Sequence, residues 1–256
     1  MTRQITIIAR YTLLEAMRTR LPELVAAATL VLAAASFFVQ QIAITESTRM
    51  QTGIYASGMR LASVFIAGLY VLASVAREFN DKGLDVTLAL DLPRAHYILG
   101  KLGGFLAIGV LVALAASLPL ALLAAPEAAL QWGISLALEL GIVIAFALFC
   151  IVTFSQLMPA ASVLLAFYLL ARTLTAIRLM SAHPPAGADV LSHQAIRMLA
   201  EGIALVVPAF DGWTQTAWVV QTPATWSGIG GLAGQTLLYV ALLTAATMFD
   251  FYRKNF

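Results

Sequence analysis

Three charged residues of this chain lie within long apolar runs, where a charge needs a partner. Glu139 lies in the middle of one run, and Arg60 and Arg172 lie in two others. A charge at the centre of a bilayer costs about 2.5–3.5 kcal/mol on insertion scales, so such groups pair or face a cavity. We therefore predict that Glu139 pairs with Arg172 or with Arg60 inside a helical bundle. Either a static packing contact or a polar element of a substrate path would explain the pair.

The most polar stretch is REFNDKGLDVTLALDLPRAHYILGK, residues 77–101, which carries four acidic and four basic residues between apolar segments. Leu84, Leu88 and Leu92 are spaced by four, which indicates one face of a short helix that Pro93 ends. The same leucines also fit the alternation of a strand. We favour the helix, because a strand here would leave its edges unpaired. A short helix with an apolar face flanked by charge suits docking to a soluble partner, although a loop without a partner has the same composition.

The chain lacks the residue patterns of common enzymes. Its Gly-Lys pair, Gly100-Lys101, is followed by leucine and lacks the upstream glycine of a nucleotide-binding P-loop. No HExxH or GxSxG motif is present. The three histidines are His96, His183 and His193, and the single cysteine lies in an apolar run. We expect no catalytic residues, no metal site and no cofactor bound by this chain.

Composition places the chain in the membrane class. Hydrophobic residues make up 61% of its 256 residues and charged residues 11%, whereas soluble domains average about 45–50% and about 25%. The mean hydropathy is +0.89. The net charge of +2 gives no reason to expect a nucleic-acid partner, because the basic residues cluster near span ends. We expect one membrane domain over residues 1–256.

Hydropathy predicts an all-α membrane protein with six transmembrane helices. An amphipathic interface helix precedes them within residues 1–21, with Ile5, Ile8 and Met17 among its apolar stripe. A second amphipathic helix is expected at 192–207, with Ser192 as its N-cap, inside the long segment 180–226. The apolar run after the first helix has the length of a retained span rather than of a cleaved signal peptide. The predicted spans are 23–45, 56–76, 100–125, 130–154, 157–179 and 227–249.

The distribution of basic residues predicts the orientation. Cytoplasmic loops carry an excess of lysine and arginine. With both termini in the cytoplasm, ten of the 15 basic residues fall on that side. The loop 77–101 is then cytoplasmic, and residues 180–226 are extracytoplasmic.

Four motifs resemble those of type-2 ABC exporter permeases, in the same order along the chain. Residues 77–101 resemble the loop between the second and third spans of that family. The segments ARYTLLEAMRTRLP, VVPAFDGWTQTA and FDFYRKNF resemble its interface helix, its motif before the last span and its aromatic-basic ending. The matching positions of the interface helix are Arg10, Glu15 and Arg18. Those of the loop are Glu78, Gly83, Leu84, Leu88, Pro93, Arg94, Tyr97, Gly100 and Lys101.

The resemblance implies a permease subunit in a bacterial inner membrane. Such subunits work as dimers, here a homodimer or a heterodimer, and bind a separate ATPase that carries ATP and Mg²⁺. The helix within 77–101 would be the coupling helix that sits in a cleft of the ATPase, and helix 192–207 would close the outer exit. The mostly apolar spans favour an amphiphilic or lipid-like cargo.

Other functions remain open on the sequence. A related permease could serve cofactor or metalloenzyme maturation by moving haem or a sulfur species. A membrane scaffold without an ATPase is a second alternative. An ion-driven transporter would need several acids or histidines at mid-membrane, and only Glu139 qualifies.

Overall fold

A computed structural model describes residues 2–42, 44, 46–80, 93–182 and 190–254. Within these residues the chain forms nine α-helices, one 3₁₀ turn and no strand. The 3₁₀ turn is Phe210–Gly212. The helices are α1 Thr2–Arg18, α2 Leu21–Ile42, α3 Ser47–Asn80, α4 Arg94–Leu123, α5 Pro126–Phe154, α6 Leu157–Ala182, α7 Val190–Val206, α8 Ala217–Val220 and α9 Trp226–Arg253.

Six of these helices, α2 to α6 and α9, are long and apolar enough to cross a membrane. The protein is therefore an all-α membrane protein with six spans, as the hydropathy predicts. Several boundaries differ from the prediction. Helix α3 starts at Ser47 rather than near residue 56 and continues to Asn80, and α4 starts at Arg94 rather than near residue 100. The added turns at these helix ends mix polar and charged residues with apolar ones, so their mean hydropathy is too low to assign them to spans.

The polar stretch 77–101 is accordingly helical at both of its ends. Residues 77–80 form the last turn of α3, and residues 94–101 form the first two turns of α4. Pro93 is the N-cap residue of α4. The predicted coupling helix, with Gly83, Leu84 and Leu88, falls on residues 81–92 and lies outside the described residues.

Helix α5 is the centre of the bundle. It is apolar on every face, as a helix surrounded by other helices must be, and Trp132, Leu136 and Leu140 are fully buried. It packs against α3, α4, α6 and α9. By contrast, α2 and α9 bury few of their apolar side chains. Their outward faces are therefore available to lipid or to another protein.

Helix α1 packs along the first half of α4, and glycines make this possible. A Cβ on Gly100 would lie 2.6 Å from Cβ of Ile8, and one on Gly104 would lie 2.6 Å from Cβ of Thr12. The helices thus approach more closely than side chains would allow. The predicted stripe is largely confirmed, except that Met17 is 52% exposed.

The segment between α6 and α9 contains the predicted amphipathic helix. Helix α7 spans Val190–Val206, which confirms the helix expected at 192–207. It begins before Ser192, so that residue lies within the helix and the predicted N-cap is wrong. Beyond Pro208 the chain forms the 3₁₀ turn and then Thr214 in the left-handed region, with φ of 45°.

Candidate functional site

A network of charged and hydroxyl side chains joins three helices at the end of the bundle where α1 lies. We call it the polar junction; it consists of Glu15, Ser74, Glu78, Tyr97 and Lys101. Glu78 accepts hydrogen bonds from the Tyr97 hydroxyl and from the Lys101 ammonium. The Lys101 side chain is only 8% exposed. A buried ammonium needs an acid beside it, and Glu78 supplies one.

Glu15 of α1 joins the same network from the other side. One carboxylate oxygen of Glu15 lies 3.9 Å from Lys101 Nζ, and the other accepts a hydrogen bond of 3.3 Å from Ser74 Oγ. Arg77 Nη2 lies 3.7 Å from Glu15. Two acids from two helices thus share one buried lysine, which ties α1 to the end of α3 and to the start of α4.

Helical spacing explains how the chain presents these groups. Ser74 and Glu78 are four residues apart on α3, and Tyr97 and Lys101 are four apart on α4, so each pair shares a face. The two faces meet because α3 ends and α4 begins at the same end of the bundle. Residues 81–92 connect these two helix ends, so the polar junction lies where that connection enters and leaves the bundle.

The C-terminal end of α9 is fixed beside the polar junction. Arg94 Nη1 donates to the backbone carbonyls of Phe251 and Lys254, at 3.2 and 3.0 Å. These carbonyls lie at the end of a helix, where intrahelical donors are lacking. The Tyr97 ring also stacks on Phe251, with centroids 5.8 Å apart. The start of α4 is therefore coupled to α9 as well as to α1 and α3.

Lys254 attaches the end of α9 to the end of α5. Its ammonium donates to the carbonyl of Val152 and to the Ser155 hydroxyl. Burial lowers the pKa of Lys254 below its ordinary value, and the nearby Asp250 opposes that change. Asp250 in turn accepts a hydrogen bond of 2.7 Å from Thr153.

A second polar cluster, which we call the interior cluster, surrounds Glu139 in the interior of the bundle. It consists of Arg60, Ser135, Glu139, Tyr168, Arg172 and the backbone of Thr214. Glu139 is fully buried, and its Oε1 accepts a hydrogen bond of 3.1 Å from the Tyr168 hydroxyl. The predicted ion pair is wrong as a direct contact, because the ion pairs within 4.0 Å among the described residues do not include Glu139. Arg60 and Arg172 instead donate to backbone carbonyls of the segment that follows α7.

The two arginines hold that segment against the bundle. Arg172 Nη1 donates to the carbonyls of Phe210 and Trp213, at 2.5 and 3.3 Å. Arg60 Nη1 donates to the carbonyl of Thr214 at 3.0 Å. The Thr214 amide donates to Ser135 Oγ of α5 at 2.8 Å. The backbone carbonyls of an irregular segment lack the hydrogen-bond partners that a helix provides. The guanidinium groups of the two arginines, which carry several donors in a fixed plane, supply these partners.

The structure places the predicted site residues that it describes outside 81–92 in three locations. Glu15, Glu78 and Lys101 meet in the polar junction, with Arg94 and Tyr97 beside them. Arg10 and Arg18 lie exposed on α1. Arg60, Glu139 and Arg172 contribute to the interior cluster, and the remaining positions lie within 81–92 or next to it.

Sequence reasoning missed the residues that complete the interior cluster. Tyr168 lies four residues before Arg172 on α6, and Ser135 lies four residues before Glu139 on α5, so each shares a helix face with a predicted charge. Helical spacing from the charged residues is the signal that could have found them. Thr214 could not have been found in this way, because it acts through its backbone.

Nothing in the described part of the chain forms a metal site. No group of three His, Cys, Asp or Glu residues is placed to hold a metal there. His96 Nδ1 lies 3.0 Å from Gln4 Oε1. His183 and the side chain of His193 lie outside the described residues. Cys150 is a buried free thiol.

In comparisons with known proteins, no protein-family model matches this sequence, and no curated protein matches it.

Proposed function

We propose that this chain is the membrane-spanning permease subunit of an ATP-driven exporter of the type-2 ABC class. It would form half of a translocation path, pair with a second permease subunit, and bind a separate ATPase through residues 77–101. ATP hydrolysis would take place on that partner, in the cytoplasm. The proposal rests first on the four motifs that resemble this family.

The polar junction is the structural observation that supports the proposal best. Residues 81–92, the proposed ATPase contact, are flanked by helices whose ends are joined through Glu78 and Lys101. Glu15 adds the proposed interface helix to the same network. A force on residues 81–92 would therefore act on α1, α3 and α4 together. Such rigid coupling is what a transporter needs if a soluble motor drives its spans.

The interior cluster supports a second part of the proposal. Arg60 of α3 and Arg172 of α6 hold the segment after α7, and Arg60 lies 14 residues before Ser74 on α3, about 21 Å along the helix from the polar junction. A displacement of α3 relative to α6 would separate these two attachments. The segment would then act as the outer closure of the path, released when the spans move.

Copurification tests the proposal directly. A tagged form of this chain, expressed with the ATPase encoded beside it in its genome, should retain that ATPase in detergent. Leu84→Asp with Leu88→Asp should abolish the retention, because aspartates would remove the apolar face proposed to dock.

Leu199→Asp is the matched control. Leu199 is an exposed leucine of α7, which packs beside the last turns of α6 and away from the polar junction, so its substitution should leave ATPase retention unchanged. Absence of ATPase from the native preparation would refute the proposal. Equal loss in the control would show that the loop variant acts through general destabilisation and would refute the assignment of 81–92 as the contact.

A further inference from the structure

A long groove runs between α2, α3 and α6, starting at the end of the bundle where α1 lies. Its first part has a volume of about 790 Å³ and its deeper part about 270 Å³. Phe65 and Leu69 line both parts, so the two parts adjoin along α3. Its walls are mostly apolar, which makes it a channel for hydrocarbon rather than for a hydrated solute.

The groove is long enough to hold an acyl chain. Along α3 it extends from Asn80 to Val64, over which a helix rises about 24 Å. Half of a bilayer's hydrocarbon core is about 15 Å thick. The groove therefore passes through the depth of one leaflet and ends beside Tyr168, the partner of Glu139.

The charged residues that line the groove lie at one end only, and both are basic. Arg20 and Arg77 both line that end, together with Thr19 and Asn80, and none of the described residues that line the groove is acidic. The Arg77 side chain is 57% exposed, and its Nη2 lies 3.7 Å from Glu15 at the rim. The Tyr70 hydroxyl also lies in this part and is buried beside the hydroxyls of Thr19 and Ser74.

We propose that this groove binds a membrane amphiphile with an anionic phosphate head group. Arg20 and Arg77 would hold the phosphate, Tyr70 would donate to an oxygen of the head group or its ester linkage, and one acyl chain would lie along α3 towards Tyr168. Guanidinium groups suit phosphate oxygens, and arginines at a span end suit the level of lipid head groups. Binding itself does not depend on the proposed function, whereas a role of the ligand as cargo would rest on it.

Native mass spectrometry in neutral detergent tests the binding. The purified chain should retain phosphatidylglycerol more strongly than phosphatidylcholine with the same acyl chains. Arg20→Gln with Arg77→Gln should weaken phosphatidylglycerol binding by about tenfold, which corresponds to about 1.4 kcal/mol. Glycerol phosphate, which has the head group but no chain, should compete poorly, because it gains nothing from the apolar walls.

Two matched controls distinguish the groove from general surface charge and bulk. Arg10→Gln with Arg18→Gln removes the same charge from exposed positions of α1 outside the groove and should leave binding unchanged. Ala73→Phe inserts a ring into the groove wall and should weaken binding of both lipids. Ala35→Phe, on the exposed face of α2, should not. Lysine replacements of Arg20 and Arg77 keep the charge and should retain most of the preference, even if the glutamine variants fold poorly.

Three results would overturn the proposal. Equal affinity for phosphatidylglycerol and phosphatidylcholine would refute the proposed site for an anionic head group. If the Arg10 and Arg18 control lost as much phosphatidylglycerol binding as the Arg20 and Arg77 variant, general surface charge rather than the groove would explain the binding. If Ala73→Phe lowered the oligomeric mass but left lipid binding intact, the groove would be an interface between two copies of this chain. Since no ATPase is present in this experiment, each of these results leaves the copurification test of the proposed function unaffected.

Discussion

Replacement of two glycines on α4 by alanine should detach α1 from the bundle. A Cβ on Gly100 or Gly104 would lie 2.6 Å from a Cβ of α1, and the one on Gly104 would also lie 2.8 Å from a backbone oxygen, that of Ala9. Ordinary contacts begin at about 3.4 Å. The helices would therefore have to separate by about 0.8 Å at each position, and a backbone atom cannot rotate out of the way.

The magnitude follows from the overpacking, because α4 is helical whether α1 is docked or detached and the helix propensity of alanine therefore cancels. Overpacking of a close contact costs about 1–3 kcal/mol. The lower end of this range applies to each position if the side chains of α1 adjust. Together, Gly100→Ala and Gly104→Ala should weaken the docking of α1 by about 2 kcal/mol, a factor of about 30 in its opening equilibrium.

Maleimide labelling of a buried cysteine on α1 measures this opening. Ala16 is fully buried, so a cysteine at that position reacts only when α1 detaches. Cys150→Ala removes the native thiol. In this background the double alanine variant should be labelled about 30-fold faster than its parent with both glycines.

Gly103→Ala is the internal control. Gly103 lies on the same helix, but its Cβ would be 3.7 Å from Cβ of Ala9, an ordinary contact. This variant should be labelled no faster than the parent, because it introduces no clash. If Gly103→Ala and the double variant are labelled at the same rate, the close approach of α1 and α4 is refuted.

Three further substitutions test the two polar clusters. Lys101→Met leaves Glu78 without its cationic partner and should lower the free energy of unfolding in detergent by about 1–3 kcal/mol, which is less than the loss for a fully buried pair because Glu78 is partly exposed to solvent. Adding Glu78→Gln to this variant should recover part of the lost stability. A second loss of the same size would contradict the pairing. Arg172→Lys should raise hydrogen exchange in the segment after α7, because an ammonium does not reproduce a guanidinium fork; unchanged exchange would contradict its role. Tyr168→Phe should lower the free energy of unfolding by about 1–3 kcal/mol. The loss should be much smaller in a Glu139→Gln background if the hydrogen bond between Tyr168 and Glu139 is the cause.

The predicted ion pair shows where sequence reasoning reached its limit. The charges Arg60, Glu139 and Arg172 were correctly expected to need partners inside the bundle. Their partners were not found, because the two arginines bind backbone carbonyls, which every residue carries and no pattern marks. Only the course of the segment around Thr214 creates these acceptor sites.

The resemblance names several residues of the polar junction but does not predict that they contact one another. Glu15, Glu78 and Lys101 were all marked as site residues by the family resemblance. That they form one network depends on the packing of α1 against the glycines of α4, which brings Glu15 within 3.9 Å of Lys101. Ser74 was missed since a serine near a span end carries no signal of its own.

The number and order of the spans and the amphipathic helix before them can be derived from sequence alone. A span depends on the free energy of transferring about 20 neighbouring residues out of water, and an amphipathic helix depends on the spacing of its apolar residues. Neither property requires knowledge of contacts between distant parts of the chain. Three features depend instead on which helix faces meet. These are the central position of α5, the partners of the buried charges and the groove beside α3. Those faces are joined by residues far apart in the chain, and only the folded bundle brings them together.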